Sequence, residues 1–223
     1  MIVESNLTAE APTLFGGNFY AEGTYCSTDA RRGVTRTRTG SRLCCLTTDF
    51  LLGFRRAIQD ETGPAADTVF KSCGKKWGGF IAKRFDAEMT EFHGTPLREF
   101  SLAKFQASLA DLFSHHGWGN VSLDLSKHDQ GLVLVTVHSP IFAAISGPSE
   151  KPVDSLMAGI LGGFFATVFE QDLDCVQTKC VAKGDKESVF VLGLTSRLAG
   201  IPAWQDAGKT HDQILRELAN VRV

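Results

Sequence analysis

The sequence predicts an α+β domain, an antiparallel sheet of about four strands packed on helices. Two observations carry that class. The first part of the chain and one later segment repeat apolar residues at helical spacing. Between and after them lie paired runs that alternate apolar and polar residues, joined by turn signals. Helices therefore cluster before antiparallel strand pairs.

The elements follow in order along the 223 residues. NFYAEGTYC, residues 18–26, has short strand character. A first helix is expected at about 47–61, where Leu46, Phe50, Phe54 and Ile58 recur every four residues. Thr47, Thr48 and Asp49 offer caps, and Gly63-Pro64 stops it. A second helix is expected over 65–88, with Ala66, Phe70, Cys73, Trp77 and Ile81 on one stripe. A third covers 97–115, carrying Leu102, Phe105, Leu109 and Leu112, and the glycines of HHGWGN end it. Val121, Leu123 and Leu125 then alternate with polar residues, KHDQG turns, and LVLVTV (132–137) returns as a β-prone run. Pro152 opens a fourth helix to residue 169 that is apolar nearly all round and so buried; its Gly159, Gly162 and Gly163 permit close backbone approach. Strands are expected at 175–183 and 188–194 across Lys183-Gly184-Asp185, and a last helix at 208–220.

Composition excludes some functions. The net charge is -2, which gives no general case for nucleic-acid binding. The longest apolar run, LMAGILGGFFATVF, is too short to span a bilayer. MIVESNLTAEAPTLF has no basic segment followed by an apolar one, so it is read as carrying no signal peptide, and the six cysteines as reduced thiols in a cytoplasmic setting.

The chemistry-bearing residues are scattered. Cys175 and Cys180 would point to opposite faces of one strand, so they neither share an ion nor close a disulfide without a bulge. Cys44 and Cys45 diverge likewise, and Cys73 falls on the stripe expected to be buried. His115-His116 at a helix C-terminus suit its exposed carbonyls. No HExxH, GxSxG or phosphate-loop pattern occurs. The clearest charge feature is RRGVTRTRTGSR (31–42): Arg31, Arg32, Arg36, Arg38 and Arg42, with no acid between Asp29 and Asp49. It reads as a solvated loop or as an anion site, since guanidinium forks match carboxylates.

The order of GKKWGGFIAKRF, HHGWGN, a hairpin, MAGILGGFFATVFE and CVAKGDKESVFVLG resembles the 4-vinyl reductase-like domain over about 45–200. That domain shares its fold with Bet-type subunits of the TRAPP tethering complex and with the sensor domains of phenol-responsive regulators. TDFLLGFRRAIQDETGPAADTVFKSCGKKWG is further similar to a cyanobacterial branch linked to photosystem II assembly and proposed to bind bilins or other tetrapyrroles. The resemblance divides the chain into an N-terminal extension (1–44), the domain (45–200) and a C-terminal helical tail (201–223). It implies a homodimer formed through helices, and a cytoplasmic protein, peripheral at the thylakoid membrane. Zinc-binding members of the family place an acid three residues before a cysteine and a second cysteine eight after it. Cys180 matches the first cysteine, but Gln177 and Ser188 stand at the other two places, so no metal site is expected.

The resulting expectation is a non-enzymatic protein that binds a tetrapyrrole or bilin in an apolar pocket between helices and sheet. Phe70, Cys73, Trp77, Phe105, Trp118, Phe164 and Phe165 would wall it, each of them equally readable as core, and Arg36 and Arg38 would hold the carboxylates. Photosystem II subunits or assembly factors are the implied protein partners. Two alternatives stand beside this: an assembly factor acting by protein contact with its pocket collapsed, and a vinyl reductase-like enzyme. The last lacks a dinucleotide fingerprint.

Overall fold

A computed structural model describes residues 17–221, apart from 22 and 24. The opening segment MIVESNLTAEAPTLF lies outside the described residues.

Among the described residues, seven strands and eight α-helices form two sheets and three layers. β1 (Cys26–Asp29), β2 (Val34–Thr37) and β3 (Arg42–Leu43) make a small antiparallel sheet in the arginine-rich segment. The expected strand over 18–26 is instead mostly turn, with β1 starting at its last residue. Helices α1 (Thr48–Thr62), α2 (Ala66–His93) and α3 (Leu102–His115) follow. Ser101 starts α3 by accepting the Lys104 N–H, and Gly94 ends α2 in the left-handed conformation. β4 (Asn120–Asp124) and β5 (Leu132–His138) form the expected hairpin. The short α4 (Ile141–Ala144) leads to α5 (Ser155–Phe169), capped by the Asp154 carboxylate, which accepts the Met157 N–H. β6 (Leu173–Lys179) and β7 (Ser188–Leu194) complete the main sheet. Its order is β4-β5-β7-β6, antiparallel throughout. The short α6 (Thr195–Leu198) and α7 (Ile201–Asp206) precede α8 (His211–Asn220), which opens with a capping box from Thr210 and Gln213.

Strand alternation builds the layers. Val135, Val137, Phe190 and Leu192 face α2, α3 and α5, in one core with Phe85, Leu109, Leu112 and Phe164. Leu132, Leu134, Val189 and Val191 face the other way and are covered by Leu198, Ile201, Ile214 and Leu218 of the C-terminal helices. The sheet is thus buried on both sides, which is why LVLVTV reads as a nearly continuous apolar run.

α2 and α5 touch backbone to backbone. A Cβ on Gly74 would lie 2.2 Å from the Leu156 carbonyl oxygen, and one on Gly163 would lie 2.0 Å from that of Lys75. This contact sets the rotation of α2. Its buried stripe runs Ala66, Phe70, Gly74, Gly78, Ile81, Phe85 and Met89. The expected stripe through Cys73 and Trp77 is therefore corrected: Cys73 is exposed and Trp77 lies at the edge of the packed face. Counting apolar residues missed the register because its two central positions are glycines.

Candidate functional site

The sequence-selected wall residues do not form one pocket. Phe105, Phe164 and Phe165 are core: Phe105 lies 6.2 Å from Phe85 and 6.3 Å from Phe165, ring centre to ring centre, and Phe164 lies 5.5 Å from Phe85. Phe70 packs under α1, in ring contact with Phe54 and beneath the Arg55 guanidinium. The space beside it, about 20 Å³ between Leu51, Phe142 and Leu156, is at the scale of a single water. Arg38 sits at the other end of α2, paired with Glu91 at 3.4 Å. Glu91 is twenty-one residues beyond Phe70 on the helix, about 30 Å along its axis. The arginines and the Phe70–Cys73 wall cannot grip one small molecule. Arg36, exposed, donates to the Gly40 carbonyl and stands opposite Arg42 across β2 and β3.

Trp77, Trp118 and Arg38, by contrast, belong to one continuous aromatic surface. Trp77 meets Trp118 at 5.1 Å, and Trp118 meets His116 at 5.1 Å. His116 meets Tyr20 at 5.5 Å and Tyr25 at 6.0 Å. Both tyrosines meet Phe19, whose ring carries the Arg38 guanidinium 5.6 Å from its centre. The surface thus runs from the middle of α2, across the end of α3, to the arginine-bearing sheet.

Charged groups lie beneath it. Glu88, on the buried stripe of α2, is 0% exposed and accepts a hydrogen bond from the Tyr20 hydroxyl at 3.0 Å. Arg84 Nε faces Glu88 Oε1 at 3.7 Å, beyond hydrogen-bond reach, and neither atom has a hydrogen-bond partner among the described residues. Burial pushes the Glu88 carboxyl up, against the pull of Arg84. Tyr20 is likewise pushed up by burial and then by the Glu88 charge, and Tyr25 is raised for the same reasons to about 12. His116 is driven down to about 4, chiefly by burial. It is neutral at pH 7, and its Nδ1 sits 2.7 Å from the Leu112 carbonyl. Nδ1 therefore carries the proton, and Nε2 accepts from the Tyr25 hydroxyl at 3.1 Å. Sequence reasoning missed this cluster. Two signals pointed to it: an acid at the spacing of Ile81, Phe85 and Glu88, and the chain's only two tyrosines five residues apart.

The thiol stretch resolves differently from the face argument. A register shift between Gln177 and Lys179 ends the alternation, and Cys175 and Cys180 are both buried free thiols. Gln177 donates to Ser188 Oγ at 3.2 Å and accepts from the Asp154 N–H at 2.9 Å; the Val181 N–H also donates to Ser188. The family's ligand positions do meet in space. Here their side chains are engaged in neutral hydrogen bonds that tie the start of α5 to the β6–β7 connection. Among the described residues no group of three or more His, Cys, Asp or Glu is placed to hold a metal ion.

The comparisons with known proteins follow the sheet and its helices. Residues 133–194 match the 4-vinyl reductase domain. This segment runs from β5 through α5 to β7 and contains the most specific motifs. No curated protein matches the chain. Among solved structures, the chain is similar to the phenol-responsive sensory domain of the transcription activator PoxR, solved with phenol: TM-score 0.64, 14% identity, covering 82% of this chain and 90% of that one. It is similar to a trafficking protein particle complex subunit 3 from Naegleria fowleri covalently bound to palmitic acid, with TM-score 0.51, 17% identity, and 66% and 95% coverage. A vinyl-4-reductase family protein from Methanocaldococcus jannaschii aligns with TM-score 0.48, 16% identity, and 67% and 82% coverage. The fold is thus the α+β fold shared by 4-vinyl reductase domains and Bet-type subunits. Among the described residues no helix is long and apolar enough to cross a membrane.

Proposed function

We propose that the chain is a non-enzymatic small-molecule-binding protein whose ligand is flat and conjugated, a tetrapyrrole or bilin in kind. One observation supports this most: the unbroken aromatic surface from Trp77 to Phe19, ending under Arg38 and beside Arg36. A planar ring system stacks on such a surface, and guanidinium groups at one end suit its carboxylates. Two proteins of this fold, solved with phenol and with palmitic acid, support small-molecule binding as a use of the architecture. The Phe70 and Cys73 positions drop out of the binding role, and Phe105, Phe164 and Phe165 serve as the core that fixes the α2–α3–α5 frame.

The test is a titration with a tetrapyrrole dicarboxylic acid and with its methyl ester, on wild type and on Arg36→Ala/Arg38→Ala. A carboxylate grip predicts preference for the free acid in wild type and loss of that preference in the variant. Equal binding of both ligands by both proteins refutes the grip.

A second reading, an assembly factor acting by protein contact, draws on α1. That helix has no buried residue, and Phe50 and Phe54 are about half exposed and stacked on each other. Its photosystem partners rest on the resemblance of residues 48–78 alone. Capture of photosystem II subunits by colourless protein, lost on Phe50→Asp/Phe54→Asp, would favour it over the first.

A further inference from the structure

We infer that Tyr20 and Tyr25 are tethered occupants of a binding site between α2 and α3, and that an aromatic ligand bearing a ring O–H or N–H donor enters by displacing them. The inference rests on reading the aromatic surface as a ligand site, and it names what the ligand must bring and what it must move.

The observations are specific. The chain has two tyrosines, and both lie in the short segment just before β1. Tyr20 is 1% exposed and Tyr25 is 4% exposed. Each phenol inserts between helices rather than within its own element, and each hydroxyl reaches a titratable partner on a different helix end: Glu88 on α2 at 3.0 Å and His116 after α3 at 3.1 Å. Phe19, Phe92, His115, His116 and Trp118 supply the surrounding rings. The fit is also incomplete. Tyr20 satisfies Oε2 of Glu88, while Oε1 and the Nε of Arg84 stay buried without a hydrogen-bond partner among the described residues. A buried carboxylate and guanidinium left partly unsatisfied are costly in an ordinary core. They are useful in a site where a ligand completes the pairing. Both phenols stay protonated at neutral pH, being raised by burial, so a neutral aromatic donor reproduces what they supply. His116, neutral with its proton on Nδ1, offers Nε2 as an acceptor to any such donor.

The chemical class follows. The site takes a flat aromatic molecule with at least one ring O–H or N–H, directed at Glu88 or at His116. An aromatic hydrocarbon of the same shape would leave both acceptors bare and be rejected.

The probe is p-cresol, the tyrosine side chain as a free molecule, with toluene as its control. In the full chain with ring-labelled tyrosine, NMR reads one set of signals from each tyrosine. Saturating p-cresol is expected to move both sets to the positions of exposed tyrosine, while toluene leaves them in place. The Tyr20→Phe/Tyr25→Phe variant keeps both rings but loses both tethering hydrogen bonds, and it should bind p-cresol at least tenfold more tightly than wild type by calorimetry. Adding Glu88→Gln and His116→Phe to that variant should erase the preference over toluene. The inference is overturned if p-cresol at its solubility limit neither moves the wild-type tyrosines nor binds the double variant. It is also overturned if toluene binds as well as p-cresol. A tetrapyrrole titration on the same protein separates the two ideas. Pigment binding with unmoved tyrosines removes the tethered-occupant idea and leaves the broader reading standing. Displacement by p-cresol with no pigment binding does the reverse.

Discussion

Asp154 shows how much one side chain can hide from a sequence reading. In the sequence it is one more acid after a proline. In the fold it is 1% exposed, caps α5 through the Met157 N–H, and keeps its Oδ2 without a hydrogen-bond partner among the described residues. Burial raises its carboxyl to about 7, against the pulls of the Met157 hydrogen bond and Arg55. The folded state therefore holds this proton more tightly than the unfolded chain does. The sign follows: this group's contribution is most favourable at acidic pH and is lost as pH rises from about 4 through about 7. The full swing is on the order of 4 kcal/mol by pKa difference. Asp154→Asn keeps an acceptor for Met157 and removes the charge. The variant should melt higher than wild type at pH 8, with the difference shrinking toward pH 5. Thermal melts with parallel pH profiles for the two proteins would refute this assignment. Glu88 was hidden in the same way, because its role depends on Tyr20, sixty-eight residues away in the chain. Gln177 and Ser188 were legible by contrast. Their spacing around Cys180 marked them as one frame, and the fold does join them.

At the scale of elements, what could be read from the sequence was whatever a local period encodes. The β4–β5 hairpin, α5 and the β6–β7 pair lie within a few residues of their expected bounds, because alternation and unbroken apolarity are local signals. The rotation of α2 was not local. It is set by α5, through glycines that carry no hydrophobic signal. Gly74→Ala and Gly163→Ala would each drive a Cβ into backbone, and each should cost about 3 kcal/mol. Gly53→Ala, in the middle of α1 with nothing within 4 Å of its Cβ position, should instead stabilise by up to about 1 kcal/mol. Denaturant midpoints of the three variants check both signs; similar losses at all three would contradict the close crossing. The small sheet β1–β3 was missed because its arginines read as a solvated loop, although Val34, Thr35 and Thr37 are β-prone. α1 raises the question of assembly. Its exposed Leu46, Phe50 and Phe54 form a stripe with no cover from the described residues. A symmetric dimer through this helix would bury an interface of about 1,600 Å² in total. Light scattering at micromolar concentration should give twice the chain mass, and Phe50→Asp/Phe54→Asp should give the single mass. A wild-type chain that stays monomeric across that range would refute the dimer.

Across the whole molecule, three layers separate two tasks. The C-terminal helices close one face of the sheet, with Trp204 packed there against its second core. The other face carries α2, α3 and α5, and the segment before β1 reaches over them to place Phe19, Tyr20 and Tyr25 in the main core. That long-range placement gathers Trp77, Trp118 and Arg38 into one surface, and no local pattern announces it. The central claim is that this surface binds a flat conjugated ligand. The chain's three tryptophans allow a direct measurement: Trp77 and Trp118 lie on the surface, and Trp204 lies on the far side of the sheet. Titrating a tetrapyrrole dicarboxylic acid while following tryptophan emission should quench wild type saturably, with Trp204 the least affected. The Trp77→Phe/Trp118→Phe variant should lose most of that quenching. Emission that is unchanged at saturating pigment, or quenched equally in wild type and variant, would contradict the claim.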